Sequence, residues 1–158
     1  MKTVICGIDP GVTGAVAFLR DDTPTLYPMP VLKINATKRE IDMPSLAALL
    51  SAHQPSFVVL ERVHSMPAQG IASAFSFGRT VGRIEGICAA YSVELVTPQE
   101  WKRVILNGTD RSKEAAVAFC RRRWPDVSLT PNGCTKPHHG LAEALCICEF
   151  GRRLNGAR

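Results

Sequence analysis

The chain opens on an apolar, β-branched run, residues 3–9 (TVICGID), which predicts a strand. DPGVTG follows, with the proline and two glycines of a tight turn, and 15–19 (AVAFL) returns as a second strand, so the opening is a hairpin. Residues 24–32 read as a third strand weakened by Pro24, Pro28 and Pro30, and 33–41 as a polar connection. Apolar positions at helical spacing predict a helix over 43–53, with Pro44 in the first turn, where its missing N–H is tolerated. SFVVLE (56–61) is an apolar run ending in an acid, the pattern of a buried central strand. After a loop over 64–70 the pattern predicts a helix at 71–91, a strand at 93–97 and a helix at 98–106. A further helix spans 111–123, and a last one runs from about Gly140 to Leu154. Strands come first as a meander and then alternate with helices. That order describes one α/β domain over 1–158 with a mixed sheet.

The helix at 71–91 carries an unusual stripe. Ala74, Gly78, Gly82, Gly86 and Ala90 recur every four residues, and each glycine costs a helix about 1 kcal/mol relative to alanine. Two readings are open: close packing on the molecule's own sheet, or a helix–helix contact across a homodimer.

Composition narrows the field. Nineteen Lys and Arg against fourteen Asp and Glu give a net charge of +5, which favours a polyanionic partner. No apolar stretch is long enough for a membrane span, and the N-terminal apolar run meets Asp9 too early for a signal peptide, so a cytoplasmic protein is expected. Five of six cysteines, Cys6, Cys88, Cys120, Cys146 and Cys148, sit in apolar runs as reduced core thiols do. A zinc site built from Cys134, His138, His139 and the Cys146/Cys148 pair lacks any CxxC spacing.

The candidate chemistry lies where strands end. Asp9 closes the first strand and Glu61 the strand at 56–61. Either acid alone is accounted for by a turn hydrogen bond or a surface ion pair. Two acids at matching ends of neighbouring parallel strands would call for a cation. In the last helix His139 and Glu143 are four apart and share a face. Asp9, Glu61 and Glu143 are hard oxygen donors suited to Mg²⁺ or Mn²⁺, and His139 is either a further ligand or a group that positions an attacking water.

These segments carry a family resemblance. GIDPGVTGAVAF, VVLERV, PAQGIASAFSFGRTVG, TPQEWK, DRSKEAA and HHGLAEAL, in that order along nearly the whole chain, resemble the RuvC-type Holliday junction resolvases of the RNase H-like superfamily, in particular their short phage-encoded branch. The resemblance implies an RNase H-like fold: a five-stranded mixed sheet with helices on both faces. It also implies a homodimer and metal-dependent cutting of branched DNA by paired symmetric nicks. The products would be a 5′-phosphate and a 3′-hydroxyl, with two Mg²⁺ per site that Mn²⁺ can replace. Asp9 matches the first-strand aspartate, Glu61 the acid ending the fourth strand and Glu143 the final-helix acid, while His139 stands where many relatives have Asp. Lys102 and Lys113 resemble a pair of basic residues near the scissile phosphate, where Lys113 or Lys102 offsets transition-state charge. The loop over 62–70, which carries a DNA-stacking aromatic in cellular relatives, has none here and offers only His64 and Met66.

Basic residues elsewhere fall into clusters, including Lys33 with Lys38 and Arg39, Arg79 with Arg83, and Arg111 with Lys113. Lys102, Lys113, Arg79, Arg83 and Arg111 are the candidate DNA contacts, each of which a solvated surface also explains. Two further functions stay open beside junction resolution: a broader nuclease for flaps and other branched DNA, and a junction-binding protein whose site is weakened by His139.

Overall fold

The structure, a computed structural model, describes residues 3–63 and 70–156. The expected loop positions His64 and Met66 lie outside these described residues. Seven strands and five helices follow in the order β1 (Val4–Asp9), β2 (Ala15–Arg20), β3 (Thr23–Pro28), β4 (Val31–Lys33), β5 (Arg39–Ile41), α1 (Met43–His53), β6 (Phe57–Glu61), α2 (Ile71–Cys88), β7 (Val93–Val96), α3 (Pro98–Ile105), α4 (Lys113–Arg123) and α5 (His139–Gly156). Five strands form one mixed sheet in the order β3-β2-β1-β6-β7, antiparallel through β3, β2 and β1 and parallel through β1, β6 and β7.

The stretch expected as a strand over 24–32 and a polar connection over 33–41 divides differently. Its first part is the edge strand β3, whose Pro24 and Pro28 pair with Leu19 and Ala15. An edge tolerates prolines because its outward backbone groups need no ladder partner. The chain then forms a separate hairpin of β4 and β5. Asn35 closes that hairpin: its Oδ1 accepts from the backbone N–H of Thr37 at 3.0 Å and of Lys38 at 2.8 Å.

Strand alternation sorts the core into two layers. Val4, Cys6 and Ile8 face α1 and α2 together with Val58, Leu60, Leu46, Leu50, Ile84 and Cys88. Ile5, Phe57 and Val59 face α3, α4 and α5 with Trp101, Cys120, Leu145 and Cys148. Helices therefore cover both faces, as expected. The five apolar cysteines are buried and unbridged, and Cys134 is exposed. Cys146 and Cys148 point to different neighbours: the first approaches Cys120 at 3.8 Å, the second donates to the Ile5 carbonyl at 3.1 Å. No helix among the described residues is long and apolar enough to cross a membrane.

Gly7, in the central strand, lets α5 lie directly on β1. A Cβ at that position would overlap the Ala144 carbonyl and the Cys148 backbone nitrogen. Gly7→Ala should therefore destabilise the fold by about 3 kcal/mol or more, because the clash is with backbone and not with a side chain that can swing away. Urea unfolding measures it, and a change below 1 kcal/mol, on the order of an ordinary surface substitution, would contradict the contact.

The glycine stripe of α2 needs correction on two counts. The helix ends at Cys88, short of residue 91, and its buried residues are Ile84 and Cys88. Gly78, Gly82 and Gly86 are exposed, and among the described residues nothing outside their own helix lies within 4 Å of where their Cβ atoms would be. The stripe does not pack on the protein's own sheet. Ile71 and Phe75, 92% and 72% exposed, extend it toward the start of the helix.

Candidate active site

Ile8 of β1 pairs in parallel register with Leu60 of β6. The next residues along, Asp9 and Glu61, thus end side by side at one end of the sheet. Alternation puts both on the α5 side, in step with Gly7 and Val59. The close seat of α5 over Gly7 carries Glu143, the residue before Ala144, to the same end. Gly140 fixes the start of that helix, since a Cβ there would lie 2.7 Å from the Thr13 carbonyl in the β1–β2 turn. Asp9, Lys113, His139 and Glu143 line one open pocket of about 360 Å³ with the turn residues Pro10, Thr13 and Gly14.

Two short helices bring the remaining groups. Thr97 and Glu100 form a capping box that starts α3 directly after β7. That start places two consecutive side chains on the acids. The buried Trp101 indole Nε1 donates to Glu61 Oε1 at 2.8 Å, and Lys102 Nζ lies 3.2 Å from Glu143 Oε1. Ser112 caps α4 by accepting from the Ala115 N–H at 3.1 Å, which sets Lys113 at the first helical position, facing the pocket.

The electrostatics show two carboxylates, Asp9 and Glu61, held above their usual range by burial and by acidic neighbours. Burial, and then the charges of Glu61 and Glu143, push the Asp9 carboxyl up to about 8, against the pull of Lys113 and Lys102. Burial also raises Glu61, an effect that the Trp101 hydrogen bond partly offsets. Glu61 is one of two buried charged side chains among the described residues. The other, Glu149, is held by Arg152 and Arg153 on its own helix, away from this end.

The two histidines that open α5 separate in role. His138 Nδ1 accepts from the Leu141 backbone N–H at 3.2 Å and so caps the helix. His139 lines the pocket; its Nδ1 is buried with no hydrogen-bond partner among the described residues, and its Nε2 is 3.9 Å from Glu114. A buried ring nitrogen without a partner is an unmet bonding requirement.

The structure brings Asp9, Glu61, Glu143, His139, Lys102 and Lys113 to one end of the sheet, but not into a finished ligand cage. Among the described residues no three His, Cys, Asp or Glu side chains stand close enough together to hold a metal ion. The reason is visible in the contacts: Glu61 is engaged by Trp101 and Glu143 by Lys102. The donor set nevertheless fits a hard divalent cation. It offers three oxygen acids and an imidazole nitrogen without a partner among the described residues, and burial with two acidic neighbours pushes the Asp9 carboxyl up, a charge problem that a cation would relieve.

Three expected DNA contacts lie elsewhere. Arg79 and Arg83 belong to α2 and line a separate groove. Arg111, exposed and with left-handed backbone (φ 59°), precedes α4. Trp101 is the residue of this candidate site that the sequence did not flag. The available signal was a tryptophan in an otherwise polar helix, PQEWKR, because a buried indole N–H needs an acceptor. A further cavity, about 570 Å³ between β3 and the end of α4, contains none of these groups.

No protein-family model matches the chain, and no curated protein does. Solved structures do match over nearly the whole length. Thermus thermophilus RuvC in complex with a Holliday junction substrate is 20% identical with a TM-score of 0.65, covering 96% of each chain. A second Thermus thermophilus RuvC structure is 18% identical with a TM-score of 0.58, covering 97% of each. Fowlpox virus resolvase, in complex with Holliday junction DNA, is 16% identical with a TM-score of 0.53, covering 96% of this chain and 99% of that one. The chain has the RuvC-type, RNase H-like fold.

Proposed function

We propose that this protein is a metal-dependent endodeoxyribonuclease that resolves four-way DNA junctions by paired symmetric nicks, and that it belongs to the short phage-encoded branch of the RuvC-type resolvases. The observation that carries the reading is the meeting of three acids from β1, β6 and α5 at one sheet end, flanked by two lysines. The likeness to two resolvases solved with Holliday junctions supports it. DNA as substrate places the protein in the cytoplasm, that of a bacterial host if phage-encoded.

Asp9, Glu61, Glu143 and His139 would hold Mg²⁺, or Mn²⁺ in its place, two ions to a site. Bound there, the ions would supply positive charge to offset the phosphodiester's negative charge and to steady the leaving 3′ oxygen. Lys102, once released from Glu143, and Lys113 at the mouth of the pocket meet the non-bridging phosphate oxygens and oppose the charge that builds as the water attacks. His139 offers its unpartnered nitrogen to a cation or to the proton of that water. The products are a 5′-phosphate and a 3′-hydroxyl. Arg79, Arg83 and Arg111 bind phosphates outside the site.

Two cuts in a symmetric junction call for two sites related by a two-fold axis. The exposed face of α2, from Ile71 and Phe75 through Gly78 and Gly82, supports a homodimer through this helix. Gly82→Arg is expected to leave the monomer unstrained, since no described residue outside its own helix lies within 4 Å of its Cβ, and should convert a dimer to a monomer in sedimentation. A variant that sediments like the wild type would place the dimer contact elsewhere.

A fixed four-way junction, a flap and a linear duplex, each with Mg²⁺, Mn²⁺ or EDTA, test the reading. Symmetric nicks in the junction alone, dependent on metal, are expected. Cuts in every branched form would make the protein a broader debranching nuclease. Binding without cutting in either metal would make it a junction-binding protein, the second reading, which the resting Lys102–Glu143 ion pair favours.

A further inference from the structure

The hairpin of β4 and β5 stands across from α2, and the two enclose a groove of about 460 Å³. Lys38 and Arg39 line it from the hairpin, Arg79 and Arg83 from the helix, and Thr13 at its end also lines the pocket of Asp9 and Glu143. Four cations face one carboxylate, Glu40. That carboxylate sits 2.8 Å from Lys38 Nζ and 3.8 Å from Arg79, linking hairpin to helix. Arg39 and Arg83 have no ion pair among the described residues. The groove thus keeps a surplus of three positive charges, from four basic groups against one acid. A channel of guanidinium and ammonium groups leading into a pocket of carboxylates suits a ligand whose charge repeats along its length, since the pocket alone repels anions.

We propose that the β4–β5 hairpin is a DNA-gripping element, which with α2 holds the sugar-phosphate backbone of a duplex arm where it runs toward the acidic pocket. The inference rests on the junction-nuclease reading and adds the hairpin, through Lys38 and Arg39, to its substrate contacts. Glu40 sets the width of the groove and tempers its affinity. Because the groove meets backbone and not bases, it grips linear duplex and junction arms alike.

Fluorescence anisotropy in EDTA, with a labelled four-way junction and a labelled linear duplex over 50–200 mM salt, tests it. Lys38→Ala/Arg39→Ala should flatten the slope of log affinity against log salt by about 1 for each residue removed, on both DNAs, and weaken binding roughly tenfold at 100 mM salt. Glu40→Gln should tighten binding, whereas a purely structural role for the Glu40 link would weaken it. Arg121→Ala/Arg122→Ala removes the same charge at the end of α4, outside the groove, and should do little. If the hairpin variant binds like the wild type, or loses no more than the α4 variant, the groove assignment falls. It also falls if poly-glutamate displaces the duplex as well as unlabelled DNA of equal charge does. Lys38→Gln/Arg39→Gln repeats the test should the alanine pair melt early. A wild type that shows these binding effects but cuts no junction in Mg²⁺ or Mn²⁺ would overturn the nuclease reading and leave the groove standing.

Discussion

Asp9→Asn is expected to abolish junction cutting and, in metal-free buffer at pH 8, to melt at a higher temperature than the wild type. The second effect follows from the raised Asp9 carboxyl. Below about pH 4 the group is protonated whether the chain is folded or not, and it costs nothing. As pH climbs, the unfolded chain ionises first while the folded site keeps its proton to about 8. The folded state therefore loses stability steadily across that window. The full loss would be about 1.4 kcal/mol per pH unit. Asp9 keeps some contact with the pocket's solvent, so we expect on the order of 3 kcal/mol in all. Asparagine removes the titration, and the two melting curves should meet near pH 4 and part toward pH 8. Mg²⁺ should reverse the order by stabilising only the wild type, by an amount that grows with concentration. Thermal unfolding from pH 4 to pH 8, with and without Mg²⁺, measures both. Parallel curves at every pH would remove Asp9 from a strained acidic site.

Trp101→Phe is expected to weaken divalent-ion binding by about 10- to 100-fold, the range found when a group that orients a ligand is lost. The indole N–H donates to Glu61 Oε1 and so fixes how that carboxylate is turned. Phenylalanine keeps most of the packing but leaves a buried carboxylate oxygen without its donor, and Glu61, already raised by burial, rises further. Protons then compete with the metal. The deficit should be larger at pH 6 than at pH 8, which a mere packing defect would not produce. Calorimetric Mn²⁺ titrations of the variant and the wild type at the two pH values decide it. An affinity unchanged at pH 6 would make Trp101 a core residue and nothing more.

The elements that position the acids could be read from local pattern. TVICGID and SFVVLE announce themselves as buried strands by their unbroken apolar runs, and an acid at the end of each is visible without a fold. The spacing of His139 and Glu143 needed only helical periodicity. What stayed hidden depended on partners distant in the chain. Trp101 and Glu61 are forty residues apart and meet because β7 lies beside β6 and α3 begins where β7 ends. Lys102 and Glu143 meet because α3 also packs against α5, which lies over Gly7. The hairpin was illegible because its strands are three residues long, too short for alternation to show. The stripe of Gly78, Gly82 and Gly86 could be seen, but not the direction it faced. Helical spacing marks a common face, and Ile84 and Cys88 settle that a different face meets the sheet.

The central claim is that Asp9, Glu61 and Glu143 act together as one divalent-cation site. Calorimetric titration of Mn²⁺ into the wild type and into Asp9→Asn, Glu61→Gln and Glu143→Gln, at pH 8 and without DNA, tests it most directly. Saturable binding by the wild type is expected, with a loss of at least about tenfold in affinity in each of the three variants. Three variants that bind Mn²⁺ as the wild type does, or a wild type that takes up none, would contradict it.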